Sequence, residues 1–373
     1  MAKSATIMLA GGGTGGHVYP GLALAEALVA LRPEVRIVWV GSSDRMEARV
    51  VPAAGHPFEP LTLGFLKGTS GMKRLSSLAK LPLAAVRMMQ LFARYRPAAV
   101  IGLGGYVAGP PCLIGALLGR PVFLLEQNAI PGRTNRFLAR FCRRVFATFA
   151  QASAYFPAGR VEVAGNPLRG AVLEVAARGI TPAPNGPLRL LVVGGSQGAR
   201  SLNEGLPQVF GLLKQAGLSL EITHVSGSGA ADKVRRAYEA AGAEATIVEY
   251  VDGMAATYAQ TDLVVCRAGA TTISELTAIG LPAVYLPFPA AADDHQTHNA
   301  RAVVDAGGGL MVTDAALLAD PAAFAAQLRV LVEDRSALEA MGAKARTLGR
   351  PEAAREVARA ILAAIGLPAK EQP

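Results

Sequence analysis

The sequence predicts an α/β protein built from two parallel-sheet halves. Three observations carry that reading. Short apolar runs are followed repeatedly by a Gly-rich turn and then by a helical stretch, the pattern of parallel strands covered on both faces. The pattern restarts after residue 165. The 373 residues, 51% hydrophobic and 17% charged, are enough for two cores of ordinary size.

The elements follow in order. ATIMLA (5–10) runs into GGGTGGH and an Ala/Leu-rich helix at 21–31. RIVWV (36–40) precedes GSSD, AAVIG (98–102) precedes LGGYVAGPP, and PVFLL (121–125) precedes EQNAIPGRTNR. In the second half LRLLVV (188–193) leads into GGSQGARSLNE, followed by SLEITHV (219–225), TIVEYV (246–251), DLVVC (262–266) and PAVYLP (282–287). Gly-rich strand-to-helix turns near the start of each half indicate two Rossmann-like units rather than one barrel. The boundary is expected within 165–187, where Pro167, Pro182, Pro184 and Pro187 gather. This gives domains of 1–165 and 166–350. Residues 351–366 read as an amphipathic helix, with Ala354, Val357, Ala358, Ile361, Leu362 and Ile365 at helical spacing.

Composition excludes several classes. The 41 glycines and 24 prolines follow no fixed period, so the chain is not collagen-like. Cys112, Cys142 and Cys266 are widely spaced and odd in number, and no CxxC occurs. A disulfide framework and a structural zinc site are excluded, and a reducing compartment is expected. The longest uncharged run, 97–119, holds six glycines and three prolines, which would break a spanning helix. The start of the chain has no signal-peptide pattern, so the protein is expected to be soluble or peripheral.

The net charge of +9 is unevenly placed. Residues 1–59 hold five basic and five acidic groups, residues 60–161 hold fourteen basic groups against Glu126 alone, and residues 162–373 hold 18 against 22. A first half this basic points to an anionic partner: nucleic acid, a membrane surface or a phosphorylated substrate. Nucleic acid fits poorly, because aromatic platforms are not interleaved with the basic residues and no helix-turn-helix pattern stands out. Residues 64–96 combine seven basic residues and no acid with Phe65, Leu66, Leu75, Leu78, Leu81, Leu83, Met88, Met89, Leu91 and Phe92. That mixture fits an anionic membrane surface, or a core helix with a solvated basic face.

Gly11, Gly13 and Gly16 match G-x-G-x-x-G. Glycine lets the backbone approach a phosphate, and a helix N-terminus supplies donors and positive charge. The same spacing also serves as a bare strand-to-helix turn. No Gly-Lys-Ser/Thr follows, which excludes a Walker A loop. GLGGYVAGP (102–110) and GGSQGARSLNE (194–204) repeat this kind of turn. Three such turns on both halves favour a phosphate-bearing ligand over a single-site dehydrogenase. The acid such a dehydrogenase needs, here Asp44, comes 28 residues after Gly16, later than the usual spacing of about 20. Ser196 and Gln197 add side-chain donors, or Ser196 only caps a helix.

In the 266–300 segment Gly269, Ala270, Thr271 and Thr272 follow a strand and open a helix, which suits backbone contact with a diphosphate. Glu275, read into the first turn, can accept from a ribose diol or merely complement the helix dipole. Asp293, Asp294, His295, Gln296, His298 and Asn299 read as hydrogen bonding to a sugar, or as a solvated loop. No Asp-x-Asp occurs in the chain, and no metal or other cofactor is assigned.

Six stretches carry a resemblance: GGTGGHVYPGLALAE (12–26), GLGGYVAGPP (102–111), EQNAIPGRTNR (126–136), GNPLR (165–169), GGSQGARSLN (194–203) and CRAGATTISELTAIGLPAVYLPFP (266–289). In order and over nearly the whole chain, they resemble the MurG family, the N-acetylglucosaminyltransferases of bacterial cell-wall synthesis. The resemblance implies a GT-B fold: two Rossmann-like domains facing a cleft, with the C-terminal helix returning to the first. It implies inverting, metal-independent transfer of GlcNAc from UDP-GlcNAc to the C4 hydroxyl of lipid I, giving lipid II. The implied location is the cytoplasmic face of the cell membrane, with other cell-wall synthesis and division proteins as partners. It places UDP-GlcNAc contacts on Thr14, Gly15, Gly16, Asn128, Arg169, Ser196 and Val251. Further contacts fall on Ala270, Thr271, Thr272, Ile273, Ser274 and Glu275, and on Gln296. Glu275 is implied to hold the ribose and Val251 the uracil.

The resemblance places His17, with Gly104, Gly105 and Tyr106, on the acceptor side, and His17 and Glu275 are the catalytic candidates. The positive end of the helix dipole favours a neutral imidazole that can accept a proton. His17 is read as general base, as a ligand of acceptor phosphate, or as a packing residue. Rival readings are another GT-B transferase acting on a glycolipid, a UDP-GlcNAc epimerase, an NAD-dependent oxidoreductase, and a nucleotide-binding regulator.

Overall fold

The computed structural model describes residues 5–61, 81–180, 186–195 and 198–369, and of 81–83 the backbone alone. The chain divides into two compact units, Met1–Arg169 with Glu352–Pro373, and Gly170–Pro351.

Unit 1 has strands β1 (Thr6–Gly11), β2 (Arg36–Gly41), β3 (Phe58–Pro60), β4 (Ala99–Gly104), β5 (Val122–Glu126), β6 (Arg144–Ala147) and β7 (Val161–Val163). They form one parallel sheet in the order β3-β2-β1-β4-β5-β6-β7. Its helices are α1 (Gly15–Leu31), α2 (Glu47–Ala53), α3 (Leu81–Tyr95), α4 (Gly109–Leu117) and α5 (Arg133–Leu138). Ile7, Met8, Leu9 and Ala10 are fully buried, because helices cover both faces of β1 and leave no polar side for alternation. The last helix of the chain, Ala353–Ala364, buries Val357, Ala358, Ile361 and Leu362 in the same core as Leu24 and Leu28 of α1.

Unit 2 repeats the plan with β8 (Leu188–Val193), β9 (Leu220–Val225), β10 (Thr246–Val248), β11 (Leu263–Cys266), β12 (Ala283–Tyr285) and β13 (Gly309–Met311), again parallel, in the order β10-β9-β8-β11-β12-β13. Its helices are α6 (Gly170–Arg178), α7 (Arg200–Gln215), α8 (Ala231–Ala240), α9 (Met254–Ala259), α10 (Ala270–Ile279), α11 (His295–Val304), α12 (Asp314–Ala319), α13 (Pro321–Glu333) and α14 (Arg335–Thr347), which makes the chain's last helix α15. In each sheet the order reverses once, between β1 and β4 and between β8 and β11. Open α/β sheets bind ligands beyond the C-terminal strand ends at that switch point. The Gly-rich turns lie there.

Four strands had no counterpart in the sequence reading: β3, β6, β7 and β13. Each is three or four residues long, and β3, β7 and β13 are sheet edges. A run that short shows no period. α1 starts at Gly15, six residues before the Ala/Leu-rich stretch, and takes Pro20 into its interior.

α3 corrects part of the membrane-stripe reading. Met88, Leu91 and Phe92 are buried in the core, whereas Met89 and Val86 are exposed. Glu59 of β3 accepts from Arg87 (2.7 Å), Arg94 (3.2 Å) and Tyr95 Oη (2.5 Å), so two of the seven basic groups are already paired. Residues 64–80 of that stretch lie outside the described residues. Among the described residues no helix is long and apolar enough to cross a membrane.

Candidate functional site

At the unit 1 switch point β1 ends in Gly11, Gly12 and Gly13, all with φ in the positive region (+144°, +156°, +93°) that side-chain-bearing residues avoid. The indole of Trp39 donates to Gly11 O at 2.9 Å and anchors the start of the turn. His17 is the third residue of α1. Its Nδ1 lies 3.2 Å from Gly12 O and 3.4 Å from Thr14 Oγ1. A carbonyl only accepts, so the proton is on Nδ1 and the lone pair of the neutral ring is on Nε2. The ring lies against Gly104: a Cβ there would stand 2.8 Å from both Cδ2 and Nε2 of His17. Gly104 and Gly105 have φ of +104° and +75°, and Tyr106 follows with its hydroxyl 3.4 Å from Ser42 Oγ.

The next turn is organised by Glu126, the single acid of the basic stretch. Its buried carboxylate accepts from the amides of Asn128 (3.0 Å) and Gly132 (3.1 Å) and from Asn135 Nδ2 (2.9 Å). Burial pushes its carboxyl above the usual carboxylate range, against the pull of those hydrogen bonds. Asn128 thus gives its main-chain N–H to this loop. Arg169, the last residue of unit 1, stacks its guanidinium 4.8 Å from the centre of the Tyr19 ring on α1.

In unit 2 the turn after β8 contains Gly195 and Gly198 at φ of +88° and +71°, and a Cβ on Gly198 would run into Ser226 O. Ser196 and Gln197 lie outside the described residues. Behind the turn runs a buried chain: Asn203 Nδ2 donates to Ser226 O, Asn203 Oδ1 lies 3.0 Å from His224 Nε2, and Tyr238 Oη lies 3.0 Å from His224 Nδ1. The Asn203 oxygen accepts from Nε2, so Nδ1 accepts from Tyr238. Burial lowers the His224 pKa to about 4. The end of β11 is tied by Arg267. It makes a bidentate pair with Asp314 (2.5 and 2.9 Å) and donates to Ser201 Oγ (2.8 Å) and Leu286 O (3.0 Å).

α10 opens at Ala270 with Gly269 before it. Ile273 N already donates to Gly269 O, so the helical ladder begins there and the amides of 270–272 precede it. Ile273 is buried, and the nearly buried Ser274 gives its hydroxyl to Ala270 O (2.8 Å). The candidate run therefore offers a ligand its first three amides rather than these two side chains. Glu275 stands in the second turn, not the first, and its Oε2 accepts from Tyr258 Oη of α9 at 3.2 Å. Val251 is half-buried between β10 and α9. Gln296 Oε1 accepts from Phe288 N (2.9 Å), which straps the loop before α11. His295 Nδ1 lies 2.8 Å from Ala292 O, and the fully buried Asn299 donates to Ala268 O at 3.2 Å. Asn299 is thus a core tie to the end of β11.

Thr14, Gly15, Gly16, His17, Gly104, Gly105, Tyr106, Asn128 and Arg169 belong to unit 1. Val251, the run 270–275 and Gln296 belong to unit 2. Sequence reasoning missed Glu47, Arg267 and Asp314. Arg267 stands directly before the singled-out AGATTISE run, and a lone arginine at a strand end was the available signal. Among the described residues no three His, Cys, Asp or Glu side chains cluster as ligands of one ion.

The model of the glycosyltransferase family 28 N-terminal domain matches residues 7–147, and that of the family 28 C-terminal domain matches 189–357. A UDP-N-acetylglucosamine–N-acetylmuramyl-(pentapeptide) pyrophosphoryl-undecaprenol N-acetylglucosamine transferase of Myxococcus xanthus is 42% identical over 352 residues, covering 94% of this chain and 91% of its own. The crystal structure of MurG from Acinetobacter baumannii matches with a TM-score of 0.78 at 32% identity, over 96% of this chain and 99% of that one. A UDP-GlcNAc 2-epimerase from Neisseria meningitidis, bound to UDP-GlcNAc, matches at a TM-score of 0.66 and 12% identity, over 96% of this chain and 100% of that one. That likeness is one of fold alone. By both domain models and by identity along nearly all its length, the chain belongs to glycosyltransferase family 28, among the MurG glycosyltransferases of GT-B fold.

Proposed function

We propose that the chain transfers N-acetylglucosamine from UDP-GlcNAc to the C4 hydroxyl of lipid I, giving lipid II for peptidoglycan, with inversion and without a metal ion. The observation that carries the reading is the 42% identity, over 94% of the chain, to a relative named for this transfer. Unit 2 takes the donor: the amides at the start of α10 and the positive end of its dipole receive the diphosphate, and Glu275 holds the ribose. Val251, Gln296 and Ser196 complete the donor contacts in unit 2, with Thr14, Gly15, Gly16, Asn128 and Arg169 from unit 1.

Unit 1 takes the acceptor. His17 Nε2 accepts the proton of the C4 hydroxyl as its oxygen bonds the anomeric carbon and the bond to UDP breaks. One displacement inverts that centre. The charge developing on UDP falls on donors already in place, each typically worth about two to three powers of ten in rate. Gly104, Gly105 and Tyr106 line the acceptor side. The enzyme works at the cytoplasmic face of the membrane. It docks through residues 64–96 and meets other cell-wall synthesis and division proteins there. Exposed Val86 and Met89, with Leu117, Phe137 and Phe141 elsewhere in the basic half, support the docking.

The test is incubation with labelled UDP-GlcNAc and a lipid I analogue in EDTA. Label on the lipid is the expected result. No transfer, an epimerised nucleotide sugar, or loss of transfer in EDTA would each overturn part of the proposal.

A further inference from the structure

Glu47, the first residue of α2, is fully buried. Its Oε2 accepts from Gly13 N at 2.9 Å and its Oε1 from Ser42 N at 3.0 Å. The chain makes room for it twice. A Cβ on Gly12 would run into the Glu47 carboxylate, and one on Gly41 would stand 2.7 Å from Glu47 Cγ. Gly12 of GGGTGG thus leaves room for the Glu47 carboxylate, and Gly41 of GSSD for its Cγ together with the Phe58 ring.

The consequence reaches His17. The peptide unit between Gly12 and Gly13 carries both the N–H held by Glu47 and the carbonyl that faces His17 Nδ1 at 3.2 Å. A peptide unit is planar, so fixing its N–H fixes its C=O. We propose that Glu47 is a positioning residue for the transfer reaction: it locks the Gly12–Gly13 peptide so that Gly12 O holds the proton on His17 Nδ1 and leaves the lone pair on Nε2. The same contact gives the Gly13 amide to an internal carboxylate instead of a bound phosphate, so this turn aims an imidazole. The inference rests on His17 being the base in the proposed function.

Two readouts test it. The chain has five histidines, and in protein labelled with ¹⁵N-histidine the His17 signals are those lost in His17→Ala. Above neutral pH the wild type shows the Nδ1-protonated neutral ring. Glu47→Gln puts an NH₂ opposite one of the two amides, so the His17 signal moves toward the other tautomer or a mixture. In the transfer assay its kcat falls on the order of a hundredfold, the scale of a misplaced catalytic group, with the UDP-GlcNAc KM within about threefold. In the His17→Ala background the same substitution costs less than about threefold, as expected of residues acting through one another. Glu47→Asp, which keeps the charge but is one methylene short, loses less than Glu47→Gln and serves for both readouts if the latter does not fold. An unchanged His17 nitrogen pattern would overturn the inference, as would an equal kcat loss with and without His17. If His17 proves not to be the base, the nitrogen spectra still decide separately whether Glu47 sets its tautomer.

Discussion

The two switch points share a strand order and a Gly-rich turn, yet they are held by opposite chemistry. In unit 1 the buried anchors are acidic side chains: Glu47 and Glu126 take main-chain amides of Gly13, Ser42, Asn128 and Gly132. In unit 2 the buried anchor is a cation, Arg267, with its counter-ion Asp314, and the acid of the candidate site, Glu275, is turned to Tyr258. A turn whose amides go to internal carboxylates is a poor cradle for phosphate and a good mount for a side chain. A turn whose carboxylates are engaged elsewhere can offer its helix N-terminus to an anion. A G-x-G-x-x-G spacing alone does not distinguish these cases.

The largest effect expected is at the mounted side chain. His17→Ala lowers kcat by about 10²–10⁴, the range of a general base, measured by lipid-linked product formed under saturating donor. A loss below about tenfold would remove His17 as the base, leaving it an acceptor contact or a packing residue. Next comes the cation of unit 2. Arg267→Ala leaves Asp314 without its partner and costs about 3–5 kcal/mol in urea unfolding. A cost under about 1 kcal/mol would mean the pair is replaceable by water.

Acid separates the units further. His224 has its folded pKa lowered to about 4 from 6.5. Between those values the unfolded chain binds the extra proton, so stability is lost as pH falls, by about 2 kcal/mol at pH 5. Glu126 runs the other way: its raised pKa means that the folded state binds more protons, so its contribution grows as pH falls. Hydrogen exchange at pH 7.5 and pH 5 should show β9 and α8 losing protection while the loop after β5 keeps it. The reverse order would refute the assignment of these groups.

The strands and turns were legible because burial on both faces writes continuous apolar runs, and a close backbone approach demands glycine. Nine of the strands announced themselves this way. The ties between distant segments did not. Glu47 meets Gly13 across 34 residues, Glu59 meets Arg87 across 28, and Arg267 meets Asp314 across 47, and no local period marks such pairs. For the same reason the sequence left Met88, Leu91 and Phe92 open between a membrane-facing stripe and a core face, and the fold places them in the core. Helical spacing tells which residues share a face, not which face the sheet covers. The run 270–275 was found as a unit, but which of its groups face outward depends on where the helical ladder starts.

The division of labour between the two turns is tested most directly by Glu275→Ala, with donor KM and kcat measured separately. If unit 2 holds the nucleotide, loss of a charged hydrogen-bond acceptor weakens donor binding by about 1.5–3 kcal/mol. The KM for UDP-GlcNAc then rises about tenfold or more while kcat at saturating donor changes little. A variant that keeps the wild-type KM and loses kcat instead would contradict the account, because the reaction would then depend on Glu275 beyond holding the donor.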